Sequence, residues 1–127
     1  MTPIESRTCV IVAQALGLPA VELGTNLFEA GAQSLEFLDI VFQLEQEFGI
    51  ELTRGEIERA ARGDLTDDEF APAGVISAVG LERLRMLMPE AAAQVVPGLR
   101  REQILALFTV STFARMVAAK VAAKSSG

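Results

Sequence analysis

The sequence predicts an all-α fold, and three observations carry that prediction. Apolar residues recur at helical spacing in several separate segments. Start and stop signals bracket those segments, among them Thr2-Pro3-Ile4-Glu5, Gly17, Gly49, Ser77, Pro89 and Thr109. Strand signals are weak throughout and no internal repeat is visible. At 127 residues, half of them apolar, the chain suits one domain with a core of its own rather than a disordered segment.

The first helix opens on Thr2-Pro3-Ile4-Glu5, a capping box with proline at the first helical position. Its stripe is Ile4, Thr8, Ile11, Val12, Ala15 and Leu16, and Gly17-Leu18-Pro19 ends it. Residues 19–33 form a long connection with Gly24, Thr25, Asn26 and Gly31 as turn residues. Val21, Leu23, Leu27 and Phe28 are spaced through it, which predicts a loop pinned to the core. The second helix is predicted over 34–48, with Gly49 ending it. At about 100° per residue, Phe37, Ile40, Val41, Leu44 and Phe48 share the core face. Glu36, Asp39, Gln43, Gln46 and Glu47 share the polar face. Leu35, Leu38, Phe42 and Glu45 lie on the rim between them. That apolar arc is wider than one core contact needs. It is either a docking face edged by acids or a surface covered by the second half of the chain.

Thr53-Arg54-Gly55-Glu56 is a second capping box, predicting a short helix through Ile57, Ala60 and Ala61 that stops at Gly63. Over 64–78, Thr66-Asp67-Asp68-Glu69 allows one helical turn before Pro72 and Gly74 interrupt it. Ser77 caps the next helix, with Leu81, Leu84, Leu87 and Met88 as its stripe and Pro89 as its stop. Short helices are predicted over 91–96 and 100–107. Thr109 caps the last helix, whose stripe is Val110, Phe113, Met116, Val117 and Val121, with Lys120 and Lys124 suiting its C-terminal dipole. Residues 125–127 are predicted to be a flexible tail, and 1–124 one domain in which 53–108 is expanded.

Charge and missing residue types narrow the function. The net charge is −6, and 8–53 holds seven carboxylates with no Lys or Arg. Such a field repels nucleic acid and attracts basic protein surfaces; it also fits a face kept acidic for solubility. No apolar run reaches the roughly 20 residues of a membrane span, and no secretory signal opens the chain. The single cysteine, Cys9, excludes an internal disulfide and fits a reducing compartment, so a cytoplasmic protein is the expectation, and a monomer is expected besides. Cys9 reads as a packing residue, since no basic neighbour would lower its pKa. Without histidine there is no Ser-His-Asp or Cys-His unit, and one cysteine cannot build a zinc site of the His/Cys type. No phosphate-binding glycine loop appears. A carrier or binding module is expected rather than an enzyme.

The chemistry gathers at Gly31-Ala32-Gln33-Ser34-Leu35, where a glycine turn delivers one serine to a helix start. One reading makes Ser34 a helix cap contributing about 1 kcal/mol. The other makes it a covalent attachment point, because free N–H groups and the positive dipole end would accommodate a phosphodiester there. A serine hydroxyl is a poor nucleophile unaided, so a separate enzyme would have to load it.

The stretch 27–52, with Gly31-Ala32-Gln33-Ser34-Leu35 followed by Glu36-Phe37-Leu38-Asp39-Ile40-Val41-Phe42, resembles acyl carrier proteins. Leu38-Asp39-Ile40-Val41-Phe42 with Glu47-Phe48-Gly49-Ile50 is especially similar to the long-chain members linked to lipid A acylation. The resemblance covers 1–53 and 108–124 and implies a helical bundle with extra helices inserted before the C-terminal one. It implies that Ser34 takes 4′-phosphopantetheine from a phosphopantetheinyl transferase using coenzyme A, and that the thiol of that arm holds acyl chains as thioesters. It also implies that Leu35, Glu36, Leu38, Asp39, Phe42 and Glu45 meet acyl-loading, acyltransferase or synthase enzymes of fatty-acid or specialised lipid synthesis through basic docking surfaces. Two features depart from the family pattern: Gln33 stands where aspartate is usual, and 53–108 is much longer than the usual third-helix region. They leave room for an unmodified interaction module or an amino-acyl or peptidyl carrier.

Overall fold

The computed structural model describes residues 1–52 and 56–126, with the backbone alone at 56, 57, 125 and 126. Its α-helices are α1 (Pro3–Leu16), α2 (Ser34–Phe48), α3 (Glu56–Arg62), α4 (Asp67–Phe70), α5 (Ala78–Leu87) and α6 (Val110–Ser126), so the chain is all-α as expected. It divides into two compact units, one of Met1–Leu52 with Phe108–Gly127 and one of Thr53–Leu107. The sequence reading of 1–124 as one domain with an expanded 53–108 thus meets a chain whose expanded region gathers into a unit of its own.

In the first unit, α1, α2 and α6 pack on one another. The Thr2 hydroxyl accepts the Glu5 N–H at 3.1 Å, and the Glu5 carboxylate accepts the Thr2 N–H at 2.8 Å. That backbone hydrogen bond holds the Glu5 carboxyl below its ordinary pKa. Gly17 ends α1 in the left-handed conformation, φ 67°, and Leu18 N–H reaches back to the Ala13 carbonyl. The α1 core consists of Thr8, Ile11, Val12 and Ala13, while Ile4, Ala15 and Leu16 of the predicted stripe are half-buried. Thr8 is tolerated there because its hydroxyl donates to the Ile4 carbonyl at 2.7 Å.

The connection between α1 and α2 is pinned, as its apolar spacing predicts. Leu27 and Ala32 are buried, and Leu27 N–H donates to the Phe108 carbonyl at 3.0 Å. Asn26 and Thr109 form an antiparallel bridge, while Val110 and Ser111 N–H groups donate to the Thr25 and Leu23 carbonyls. Thr109 and Thr112 each accept the other's N–H through their hydroxyls, so Thr109 caps the start of α6 as expected. Beneath this junction Phe37, Phe108 and Phe113 form mutual ring contacts with centroids 5.5–6.5 Å apart, and Phe28 lies against Phe37 at 5.8 Å. Tilted and edge-on rings at such spacing contribute about 0.5–1.5 kcal/mol per pair beyond their buried area.

The second unit has its own core, with Phe70, Leu84, Met88 and Val95 at or near zero exposure. The capping box predicted at 53–56 lies outside the described residues, although α3 itself is present. Arg83 donates to the Arg62 carbonyl at 2.9 Å and to the Ala61 carbonyl at 3.4 Å, satisfying the C-terminal end of α3. Thr66 and Ser77 cap α4 and α5 as their sequences predict. Val75 and Arg100 form an antiparallel bridge, beside which Ile76 N–H donates to the Leu99 carbonyl.

Three expectations are corrected. The helix predicted over 91–96 is a 3₁₀ helix, Pro89–Gln94, and that over 100–107 is two 3₁₀ turns, Arg101–Gln103 and Leu105–Leu107. Segments this short do not recover the cost of nucleating an α-helix, and Pro89 and Pro97-Gly98 bound the first of them. The tail expected at 125–127 is helical through Ser126, because the alanine-rich end of α6 contains no breaker, and Gly127 lies outside the described residues.

Candidate functional site

Ser34 is the first residue of α2, and its backbone neighbour Gln33 takes the N-cap position with extended φ −117°, ψ −176°. The Glu36 carboxylate accepts the Gln33 N–H at 2.8 Å, so the cap is built by the residues on either side of the serine. Gly31, at φ 101°, makes the turn before it, in a region where a side chain would be strained. Ala32 N–H donates to the Leu27 carbonyl, which ties the residue two before Ser34 to the buried anchor of the loop. The helix-cap reading of Ser34 is therefore corrected. The serine is exposed, and its hydroxyl has no hydrogen bond among the described residues.

The first bond of the α2 ladder runs from Phe37 N–H to the Gln33 carbonyl at 3.0 Å. The N–H groups of Ser34, Leu35 and Glu36 lie ahead of it, outside that ladder, at the positive end of the helix dipole. A phosphodiester carried on the exposed Ser34 oxygen fits these donors, and nothing buried has to move to admit it.

Beyond Ser34 the faces of α2 separate as the helical periodicity predicts. Phe37, Ile40 and Leu44 are buried, and Val41 and Phe48 are half-buried. Leu35, Leu38 and Phe42 are 73 %, 57 % and 60 % exposed. Phe28, which the loop spacing placed with Val21, Leu23 and Leu27 against the core, is corrected: it is 48 % exposed, with its ring against Phe37.

The carboxylates predicted for docking occupy different situations. Asp39 is exposed and accepts the Gln43 side-chain amide at 3.2 Å. Glu36 is held at the cap. Glu45 is half-buried, and its Oε2 accepts the Leu52 N–H at 2.9 Å, so it fastens the chain leaving α2. Glu47 pairs with Arg7 at 2.7 Å, and Lys124 donates to the Gly49 carbonyl at 2.7 Å, both at the far end of α2. Cys9 is half-buried in α1, and burial followed by the nearby Glu5 charge pushes its thiol pKa up, which makes it less reactive. Among the described residues no group of three or more His, Cys, Asp or Glu could hold a metal ion, and no helix is long and apolar enough to cross a membrane.

In the 53–107 unit an open cavity of about 410 Å³ is lined by neutral residues including Gln94, Val96, Leu99, Gln103 and Leu107. Its walls carry no titratable group.

No solved structure matches the chain. Residues 6–61 match the family model of the phosphopantetheine attachment site. That span takes in α1 from Ser6 onward, the pinned loop, the serine turn, α2 and α3 up to Ala61. Its only serines are Ser6, inside α1, and Ser34. Such a domain takes 4′-phosphopantetheine covalently on a serine and serves as a carrier. The likeness to phosphopantetheine attachment domains thus lies in residues 6–61, under half of the chain.

Proposed function

We propose that the chain carries acyl groups as thioesters on a 4′-phosphopantetheine arm joined to Ser34, and presents them to enzymes of fatty-acid or specialised lipid synthesis. The observation that supports this most is the exposed Ser34 hydroxyl at the first position of α2, with capping left to Gln33 and Glu36. The arm supplies the thiol that this function needs, since the only thiol of the chain is the half-buried Cys9. The chain's own part is to hold the attachment oxygen in the open and to aim it from a rigid helix end.

Loading requires a second protein. The Ser34 oxygen forms the new O–P bond as the pyrophosphate bond of coenzyme A breaks, adenosine 3′,5′-bisphosphate leaves with that bond's electron pair, and the hydroxyl proton passes to a base on the phosphopantetheinyl transferase, because this chain has no histidine to take it. The docking face for that transferase and for acyl-handling enzymes is Leu35, Leu38 and Phe42 with Asp39, an apolar strip beside negative charge that fits a basic rim around an apolar patch. Glu36 and Glu45 border this strip. We place the protein in the cytoplasm, as a non-catalytic partner of these enzymes.

Co-expression with a transferase followed by intact-protein mass spectrometry tests the reading. The wild type should gain the mass of one phosphopantetheinyl group and Ser34→Ala should gain none. An unmodified wild type, or addition that persists in Ser34→Ala, would overturn it. The same experiment separates a loaded carrier from an unmodified interaction module, whose partner binding would be indifferent to Ser34→Ala.

A further inference from the structure

We propose that Glu36 signals the state of Ser34: its carboxylate caps α2 in the unmodified chain, and an anionic group on Ser34 displaces it to the outward face beside Asp39. The proposal rests on the reading of Ser34 as the attachment point and adds a way for partner enzymes to tell a loaded serine from a bare one.

The geometry begins with one hydrogen bond. Glu36 Oε1 lies 2.8 Å from the backbone nitrogen of Gln33, the residue immediately before Ser34. A phosphodiester on the Ser34 oxygen is tethered between the two ends of that bond. It would take the adjacent N–H groups of Ser34, Leu35 and Glu36 and so place a second negative charge against the first. Gln33 is neutral, so Glu36 is the carboxylate that must yield.

No cation in the neighbouring sequence shares the two charges, since 8–53 contains no Lys or Arg. Arg7 and Lys124 are engaged with Glu47 and the Gly49 carbonyl at the opposite end of α2. Displacement is also inexpensive, because the Gln33–Glu36 bond is exposed and water can replace it. Once released, Glu36 stands one helical turn from Asp39 and on the same face. The loaded chain then offers a basic partner two carboxylates where the bare chain offers one.

The test compares the Gln33 amide resonance in wild type, Glu36→Ala and Glu36→Gln. Each is measured before and after treatment with transferase and coenzyme A, with a mass spectrum of every sample. Before modification, Glu36→Ala should move the Gln33 amide proton upfield, as expected for loss of a charge-assisted bond. After modification the same substitution should leave it in place, because the bond is already broken. Glu36→Gln keeps an acceptor without the charge and should hold the bond in both states. Equal effects of Glu36→Ala before and after modification, with the added mass present, would overturn this proposal and leave the attachment site standing. Release of the glutamine as well would show steric displacement and overturn the electrostatic account. Absence of added mass would overturn the attachment reading and this proposal with it.

Discussion

Replacing Leu44 and Leu38 by alanine, one at a time, separates the core face of α2 from its open face. Leu44 is 0 % exposed and Leu38 is 57 % exposed. Truncating a fully buried leucine forfeits about 0.8 kcal/mol for each methylene-sized group and leaves a cavity, which together cost roughly 3–5 kcal/mol. Against a total stability of about 5–15 kcal/mol that is a large fraction. For Leu38 less than half of the side chain leaves water on folding, so truncation should cost under about 1 kcal/mol, and alanine's better helix propensity returns a few tenths. Urea titration followed through the amide resonances of α2 reads both. A loss near 4 kcal/mol lowers the midpoint by roughly 2 M at a slope of about 2 kcal/mol per M, and Leu38→Ala should barely move it. In binding to a partner enzyme the order should reverse, with Leu38→Ala weakening a docking contact that folded Leu44→Ala leaves intact. Equal stability losses at the two positions would refute the reasoning, because Leu38 would then be covered and unable to serve as a docking residue.

The remaining predictions concern single groups. Ser34→Ala should alter thermal stability by less than about 0.5 kcal/mol, where loss of a serine N-cap would cost about 1 kcal/mol, because Gln33 holds the cap position. Glu45→Ala should cost roughly 1–2 kcal/mol by orphaning the Leu52 N–H, whereas Glu45→Gln should retain most of that stability; a denaturation curve for each checks it. Gly80→Ala should lose about 1–3 kcal/mol in a urea melt, because a Cβ there would meet Ile76 at 2.8 Å and the Phe70 ring at 3.0 Å. Cys9 should react with iodoacetamide more slowly than an unstructured cysteine at any given pH below its titration. Its raised pKa lowers the thiolate fraction, and the rate should climb with pH through a midpoint above the ordinary thiol value.

The helices that form the site were legible because each carries its signals locally. Thr2 and Glu5, Gly17 and Gly49 mark boundaries that the backbone obeys, and the 100° periodicity of α2 sorts Ile40 and Leu44 from Leu38 and Phe42. The pinned loop was legible as a tendency, since Leu27 had to go somewhere. Its partners, Phe108 and the Thr109 turn, lie some eighty residues downstream and have no local mark in the sequence. The 3₁₀ segments at 89–94 and 101–107 were misread because short apolar runs fit two helix types equally well and chain length between breakers decides between them. Glu45 illustrates the limit of helical wheels. Its angular position puts it on the rim, but the chain turns back at Gly49 and brings the Leu52 N–H to it.

Ser34 shows why a serine at a helix start is ambiguous in sequence and much less so in structure. The N-cap and the first helical position are adjacent, and serine suits both; what separates them is which residue has extended backbone angles. Here that residue is Gln33, a poor capping type by side chain, and the deficit is met from the other side by Glu36. The arrangement leaves the serine hydroxyl without a capping role, which suits the attachment point proposed there. Because Gln33 is neutral where the resembled carriers usually have aspartate, the carboxylate at this turn is that of Glu36, and it is occupied with the cap of α2.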